Sequence, residues 1–302
     1  MKKSLMSIAI VVSVISFNNV VLADFAIWGD ETLSVTGSHN IGATYDTSVA
    51  TIVSGGTVQD MSAYNSSTVD ISGGAVSGYL DGYNDSNISL SSGSAYVFNI
   101  NNQSEMNITG GSIGSGGYVN DFGVLSMSDG TFSHPAGYIN AEDDSRVYIS
   151  GGAINGTIHP LDNSEVNITG GTIGTIQPNY FGTVNFEGGI CNNEINARGS
   201  STVNISGGLI NRLRLSETPT INFYATEYHL GSGLTLSGNK LYGEGFLSGE
   251  WADGIRWTID IDQTLPSPNP DITLHLVEPI PEPATLLLLG LGTLALRRKR
   301  GR

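Results

Sequence analysis

The stretch V-N-I-T-G-G at residues 166–171 recurs along the chain and decides the fold. Close copies are V-D-I-S-G-G at 69–74, M-N-I-T-G-G at 106–111, V-Y-I-S-G-G at 147–152, V-N-F-E-G-G at 184–189 and V-N-I-S-G-G at 203–208. Looser copies occupy 33–38, 51–56, 88–93 and 125–130. Successive copies end 18 to 22 residues apart, at 38, 56, 74, 93, 111, 130, 152, 171, 189 and 208. This period is typical of a solenoid, whose coils bury their apolar faces only by stacking on one another.

The pattern inside each copy predicts the course of one coil. Val and Ile alternate with Asn and Ser or Thr, as in a half-buried strand, and the Gly-Gly pair then turns the chain. Polar turns such as N-D-S at 84–86 precede the next strand, and we expect Asx turns there, with the side chain bonded to its own backbone two residues on. A third inward position is predicted at Met61, Tyr79, Phe98, Tyr118, Ile158, Ile176, Ile195 and Leu213.

These features predict an all-β fold, a parallel β-helix (solenoid) of about ten coils over residues 24–230. Stacked at the usual ~4.8 Å, the coils would form a rod on the order of 50 Å long. The period ends after residue 228, and alternating runs with glycine turns predict a small β cap over residues 231–277 that covers the open sheet edge. Within it, Pro266, Pro268 and Pro270 indicate a stiff spacer before a last strand at residues 272–277.

Composition excludes several classes of function. The single cysteine, Cys191, excludes an intrachain disulfide. It occupies a repeat position that is apolar in the other copies, so we expect a buried, unreactive thiol. The chain has 28 acidic and 13 basic residues; leaving out Glu282 and the seven basic residues of the two ends leaves 27 and 6, a net charge of −21 for residues 24–280. Such a surface repels nucleic acid and anionic lipid, so no nucleic-acid partner is expected.

Both ends of the chain differ from the repeats. Residues 1–23 contain Lys2, Lys3, an apolar run at 5–17, and small residues at Val21 and Ala23, which predicts a secretory signal peptide. The run is shorter than the ~20 residues that span a bilayer. The other end, residues 278–302, has P-E-P at 281–283, a 13-residue apolar stretch at 284–296 that predicts a single membrane helix, and R-R-K-R at 297–300.

This C-terminal segment resembles the PEP-CTERM family of exosortase-sorted bacterial proteins, over about the last 25 residues. The resemblance rests on Pro281, Glu282 and Pro283 as the sorting signal, the apolar helix and the basic tail. It implies a Gram-negative-type envelope, with signal peptidase and exosortase as processing partners. It further implies transient anchoring in the inner membrane, then release to the cell surface or the exopolysaccharide matrix. The resemblance implies no activity for the predicted solenoid.

Catalytic patterns were sought on the strand face of the repeat. Its first outward position holds Asp70, Ser89, Asn107, Ser126, Tyr148, Asn167, Asn185 and Asn204. The next outward position is Ser or Thr except for Glu187, which lies six coils from Asp70, roughly 30 Å at sheet spacing. General acid–base chemistry needs paired groups, so we predict no catalytic residues and no enzyme. The five histidines share no register, and Arg212 with Arg214 is the one clustered basic pair.

Two polar features each allow two interpretations. Asp143, Asp144, Asp162 and Glu165 lie at corners of consecutive coils, where they are either solvated turn residues or a weak extracellular Ca²⁺ site. No other cofactor is predicted. The rows of Asn107, Asn167, Asn185 and Asn204 with Thr109, Thr169 and Ser206 form either a flat surface for glycan or ice, or a structural ladder.

Function is therefore predicted at the level of class. The first expectation is a non-enzymatic exported surface or matrix protein that contacts exopolysaccharide. The alternatives are a polysaccharide-active β-helix lyase or hydrolase, and an ice- or glycan-binding adhesin.

Overall fold

The computed structural model describes residues 24–263 and 271–279, and every regular element in those ranges is a β-strand. The strands are β1 Phe25–Ile27, β2 Thr32–Val35, β3 Ser38–Thr44, β4 Val49–Ile52, β5 Thr57–Ala63, β6 Thr68–Gly82, β7 Asn87–Ile100, β8 Glu105–Val119, β9 Val124–Phe132, β10 Tyr138–Ala141, β11 Arg146–Ile149, β12 Ala153–Pro160, β13 Glu165–Ile176, β14 Thr183–Ala197, β15 Thr202–Ile205, β16 Leu209–Leu215, β17 Thr220–Ala225, β18 Glu227–Leu230, β19 Leu234–Ser237, β20 Lys240–Gly243, β21 Gly245–Glu250, β22 Arg256–Asp262 and β23 Asp271–Leu276. Within the two ranges no helix is long and apolar enough to cross a membrane. The predicted signal peptide, most of the proline spacer and the predicted membrane helix at 284–296 lie outside the described residues.

The strands form a β-solenoid of about ten turns, which confirms the predicted all-β solenoid. Copies of the repeat phrase pair in parallel and residue to residue: Val166 opposes Val184, and Val184 opposes Val203. Identical positions of the repeat phrase therefore stack from coil to coil. The inward Val and Ile of each phrase are fully buried, because the adjacent coils cover them on both sides.

Each coil contributes three stretches, which we call faces. The first face holds the repeat phrase, such as Val69 to Ile71 in β6; the second holds the short stretch after the glycines, such as Val76; the third precedes the polar corner and includes Leu80. The inward positions of all three faces form one continuous apolar core.

Two of the predicted third-face core residues were wrong. Tyr79 is 54% exposed, and Leu80 takes the inward place beside it. Tyr118 also points outward, between the buried Gly117 and Val119. The cause is a register shift between the second and third faces, found for example between Val76 and Tyr79. An extra residue there moves the alternation by one, which exchanges the inward and outward sets.

The polar corners are built differently from the Asx turns expected from the sequence. Asn65 has a left-handed φ of 58°, which asparagine tolerates. The corner is closed by Ser67, whose buried Oγ accepts the N–H of Tyr64 at 3.1 Å and donates to the carbonyl of Thr44 at 3.2 Å. The side chain of Asn84 donates to Asn65 in the preceding coil, at 3.2 Å. The asparagines thus join coils instead of bonding their own backbone.

The C-terminal end of the core is covered by the chain folding back. After β17, β18 pairs antiparallel with β21, and β19 with β20. Strands β22 and β23 then return to pair in parallel with β16 and β17, so the predicted last strand at 272–277 is β23. Buried Trp251 and Trp257 stack at 4.3 Å and Trp257 stacks on Phe223 at 5.8 Å. This aromatic layer closes the end of the core.

Candidate functional site

The asparagine row of the first face is an interlocked ladder. Asn185 donates to Asn167 at 2.8 Å, Asn204 to Asn185 at 2.8 Å, and Asn222 to Asn204 at 2.9 Å. Of the two interpretations of the row, the structural ladder therefore describes this part. Asn222 was missed by the sequence search because its phrase, T-I-N-F at 220–223, has no glycine pair after it. The alternating strand phrase, without the requirement for a glycine pair, would have identified Asn222.

The ladder ends at Tyr148, where the first face has an open depression of about 360 Å³. Tyr148 is 42% exposed. The depression is lined by Asn107, Ile108, Thr109, Ser126, Met127, Ser128, Tyr148 and Ser150. Its lining combines one aromatic ring and the apolar residues Ile108 and Met127 with uncharged hydroxyl and amide groups. Such a surface can hydrogen-bond an uncharged polar ligand.

A second feature is a group of tyrosines that we call the tyrosine patch, formed by Tyr79, Tyr118 and Tyr138 on the third face and by Tyr96 at the bend that precedes this face. Tyr79 and Tyr96 are 54% and 53% exposed. The rings of Tyr118 and Tyr138 meet edge to face at 5.3 Å, with their hydroxyls 3.3 Å apart. This hydrogen bond, together with burial, raises the pKa of Tyr138 to about 12. All four residues lie in consecutive coils.

Glycine provides the space for these rings. A Cβ at Gly114 would lie 2.6 Å from Cδ2 of Tyr96, so the ring rests directly on the backbone there. Gly116 stands in register between Val97 and Tyr138 and brings no side chain to the outward row. The ring of Tyr96 therefore has a floor of backbone at Gly114, whereas Gly116 is buried against the backbone of Tyr138.

Two carboxylates of consecutive coils adjoin the patch. Asp60 accepts the N–H of Tyr79 at 2.8 Å, and Asp81 accepts the side-chain amide of Asn99 at 2.6 Å. Burial raises the pKa of Asp81; the Asn99 hydrogen bond lowers it, and the negative charge of Asp60 raises it further. This pair is not evident from the sequence, because the register shift hides which third-face residues point outward.

The clustered arginines hold the returning strand to the solenoid. Arg212 lies 3.1 Å from Asp260, and Arg214 lies 3.3 Å from both Glu194 and Asp262. Asp260 and Asp262 belong to β22, so these pairs join β22 to β16. The one clustered basic pair is thus matched by carboxylates, and it does not present unpaired charge to an acidic substrate.

The acidic corners bring some of the predicted calcium ligands near one another. Asp143 and Asp162 occupy the same left-handed corner position in consecutive coils, with φ of 57° and 51°. Burial raises the pKa of the adjacent Glu142, and the charges of Asp162 and Asp143 raise it further.

Three of the four predicted ligands have protein partners, and Asp143 is one of them because it accepts the N–H of Asp121 at 3.3 Å. Asp144 accepts from Asn163 at 3.4 Å, and Glu165 accepts from Asn185 on the first face at 2.9 Å. In the described part of the chain, no group of three or more His, Cys, Asp or Glu side chains could hold a metal ion. Calcium binding at these corners stays a prediction.

The predicted inert thiol is confirmed by its surroundings. Cys191 is 1% exposed, and its Sγ faces the carbonyl oxygen of Gly174 at 3.8 Å. Burial raises the pKa of the thiol to about 12, so it is not ionised at neutral pH and is a poor nucleophile.

The C-terminal segment is the part of the chain that comparison with known proteins explains. Residues 279–300 match the model of the PEP-CTERM protein-sorting motif. The chain carries a PEP-CTERM sorting motif. It contains the Pro281, Glu282 and Pro283 signature on which the resemblance rests, and it implies processing by exosortase. The comparisons with curated proteins and with solved structures found no match.

The PEP-CTERM motif also bears on where the solenoid works. It implies export and transient membrane anchoring before surface display. The outward faces of the solenoid, with the depression and the tyrosine patch, therefore belong to a chain whose sorting motif implies surface display.

Proposed function

We propose that this protein is a non-enzymatic surface or extracellular-matrix component of a Gram-negative-type bacterium, and that its solenoid contacts exopolysaccharide. The observation that carries the proposal is the PEP-CTERM motif at 279–300, because it directs the solenoid to the cell surface. Support comes from two outward surfaces with sugar-compatible chemistry. The depression beside Tyr148 offers neutral hydrogen-bonding groups, and the tyrosine patch offers exposed rings.

The distribution of charged side chains supports a binding role over catalysis. On the first face, Asp70 accepts a hydrogen bond from Ser89 at 2.5 Å, and Glu187 lies six coils away. The arginines of the third face are matched by carboxylates. Lyase chemistry on acidic polysaccharide needs an unmatched basic group in a groove, and neither surface described above supplies one.

One observation favours the rival function, polysaccharide hydrolysis. Asp60 and Asp81 lie in adjacent coils beside exposed tyrosines, and the pKa of Asp81 is raised by burial. Glycoside hydrolysis uses two carboxyl groups, one of which acts as a general acid and needs a raised pKa. The pair therefore gives the enzymatic alternative a definite location.

A single purified batch of residues 24–279 can separate the two functions. We expect binding on an array of neutral, acidic and amino polysaccharides, and no release of reducing ends from any of them over a long incubation. Asp81→Asn serves as the matched variant in the reducing-sugar assay. Turnover that disappears in Asp81→Asn would establish the hydrolase, and absence of binding to every polysaccharide would refute the proposed function.

A further inference from the structure

The two halves of the solenoid differ in charge. Residues 24–145 contain 14 Asp and Glu and no Lys or Arg, and all six basic residues of the range 24–280 lie at or beyond position 146. The tyrosine patch lies within the wholly acidic half. Its surroundings therefore carry a negative potential that attracts cations and repels polyanions.

Two of the four rings, those of Tyr79 and Tyr138, belong to one row along the solenoid. Tyr79, Val97, Gly116 and Tyr138 occupy the same outward position in successive coils. Three strand spacings separate Tyr79 from Tyr138, ~14 Å at the usual distance between strands. This length exceeds one sugar ring. Such a row fits an extended polymer better than the curved surface of a folded protein.

The immediate neighbours of the rings are carboxylates. Asp60 lies one coil before Tyr79 and accepts its N–H at 2.8 Å, and Asp81 lies two residues after Tyr79 in the same strand, β6. A sugar ring can rest on an exposed aromatic face, and an ammonium group over or beside such a ring gains a cation–π attraction. A carboxylate nearby adds an ion pair. A polyuronate in the same place would meet only like charge.

We infer that the tyrosine patch binds a polysaccharide that carries free amino groups. This inference rests on the proposed function and narrows its ligand to one class. The sugar rings lie on the exposed rings of Tyr79 and Tyr96, and the ammonium groups pair with Asp60 and Asp81. A basic polypeptide is the competing occupant, since it would share the attraction to carboxylate but would not need the ring faces.

The inference is tested by binding measurements on residues 24–279 with chitosan oligosaccharide, its fully N-acetylated counterpart, alginate oligosaccharide and polylysine. We expect binding to chitosan above all others. Replacing Tyr79 and Tyr96 together by Ala should weaken it roughly five- to thirty-fold, as expected for two exposed cation–π contacts. Tyr79→Phe with Tyr96→Phe should retain it. Tyr242→Ala, an exposed tyrosine of the β19–β20 hairpin, is the matched control.

The outcomes separate this inference from the proposed function. Binding of chitosan that is unchanged in the Tyr79 and Tyr96 double alanine variant would overturn the patch as the site, while polysaccharide contact would stand. A further outcome is that polylysine binds as tightly as chitosan and keeps its affinity in the double alanine variant. That result would mean charge attraction alone and would also overturn the patch as the site. Preference for alginate or for the acetylated sugar would refute the amino-sugar assignment. Circular dichroism of each variant checks that the solenoid is intact.

Discussion

Asp81 adds a carboxylate to the surface beside the tyrosine patch, and its ionised form lowers the stability of the fold at neutral pH. It is half-buried on the third face, and burial and the neighbouring Asp60 hold its pKa above the ordinary value. A folded pKa above the unfolded one means that the protonated carboxyl is favoured by folding. The stabilisation is therefore fully present below the unfolded pKa, near 3.9, and is lost as pH rises through the folded pKa.

Replacement of this carboxylate should then stabilise the protein at neutral pH. We predict that Asp81→Asn raises the melting temperature at pH 7 and has a smaller effect at pH 3, where the wild-type carboxyl is protonated. Thermal unfolding of both proteins across this range measures the difference. Asp85→Asn, which removes the same charge from an exposed corner, should shift the melting temperature at pH 7 much less. An equal response of the two variants would show that net charge, and not burial, sets the effect.

The corner is the element that the solenoid repeats most regularly, and its serines allow a matched comparison. Ser67 and Ser145 are both fully buried at the same corner position. The Ser67 hydroxyl bonds Tyr64 and Thr44, whereas the Ser145 hydroxyl has no hydrogen-bond partner. We predict that Ser67→Ala lowers the free energy of unfolding by about 1–3 kcal/mol, and that Ser145→Ala leaves it nearly unchanged or raises it. Chemical denaturation measures both values, and equal losses would contradict this account of the corner.

The strand elements also show where sequence reasoning succeeds. The phrase V-N-I-T-G-G predicted the first face, the in-register stacking and the burial of Cys191, because side chains repeat with a period of two within each strand. On the third face it predicted six of the eight core residues and placed Tyr79 and Tyr118 wrongly, because chain length between the glycine pair and that face varies from coil to coil. One extra residue there places Tyr79 outside and Leu80 inside. The tyrosine patch and its carboxylates were hidden for the same reason.

At the scale of the whole molecule, the acidic half and the matched arginines divide the solenoid into two ends with different roles. The C-terminal end closes the core with Trp251 and Trp257 and fixes the returning strand β22 with Arg212 and Arg214. The half up to residue 145 has no basic side chains to neutralise its carboxylates. Self-repulsion should therefore be concentrated there and should depend on ionic strength.

The acidic corners give this repulsion a local test, because Asp143 and Asp162 stack in consecutive coils and both raise the pKa of Glu142. A divalent cation held between them would relieve more repulsion than diffuse screening does. We predict that millimolar Ca²⁺ raises the melting temperature more than NaCl of equal ionic strength. Asp143→Asn with Asp162→Asn should remove the difference, whereas Asp85→Asn with Asp129→Asn, an equal change of charge at other exposed positions, should preserve it. If the two salts act alike on the wild type, the corners respond to screening alone, and their carboxylates serve as solvated turn residues.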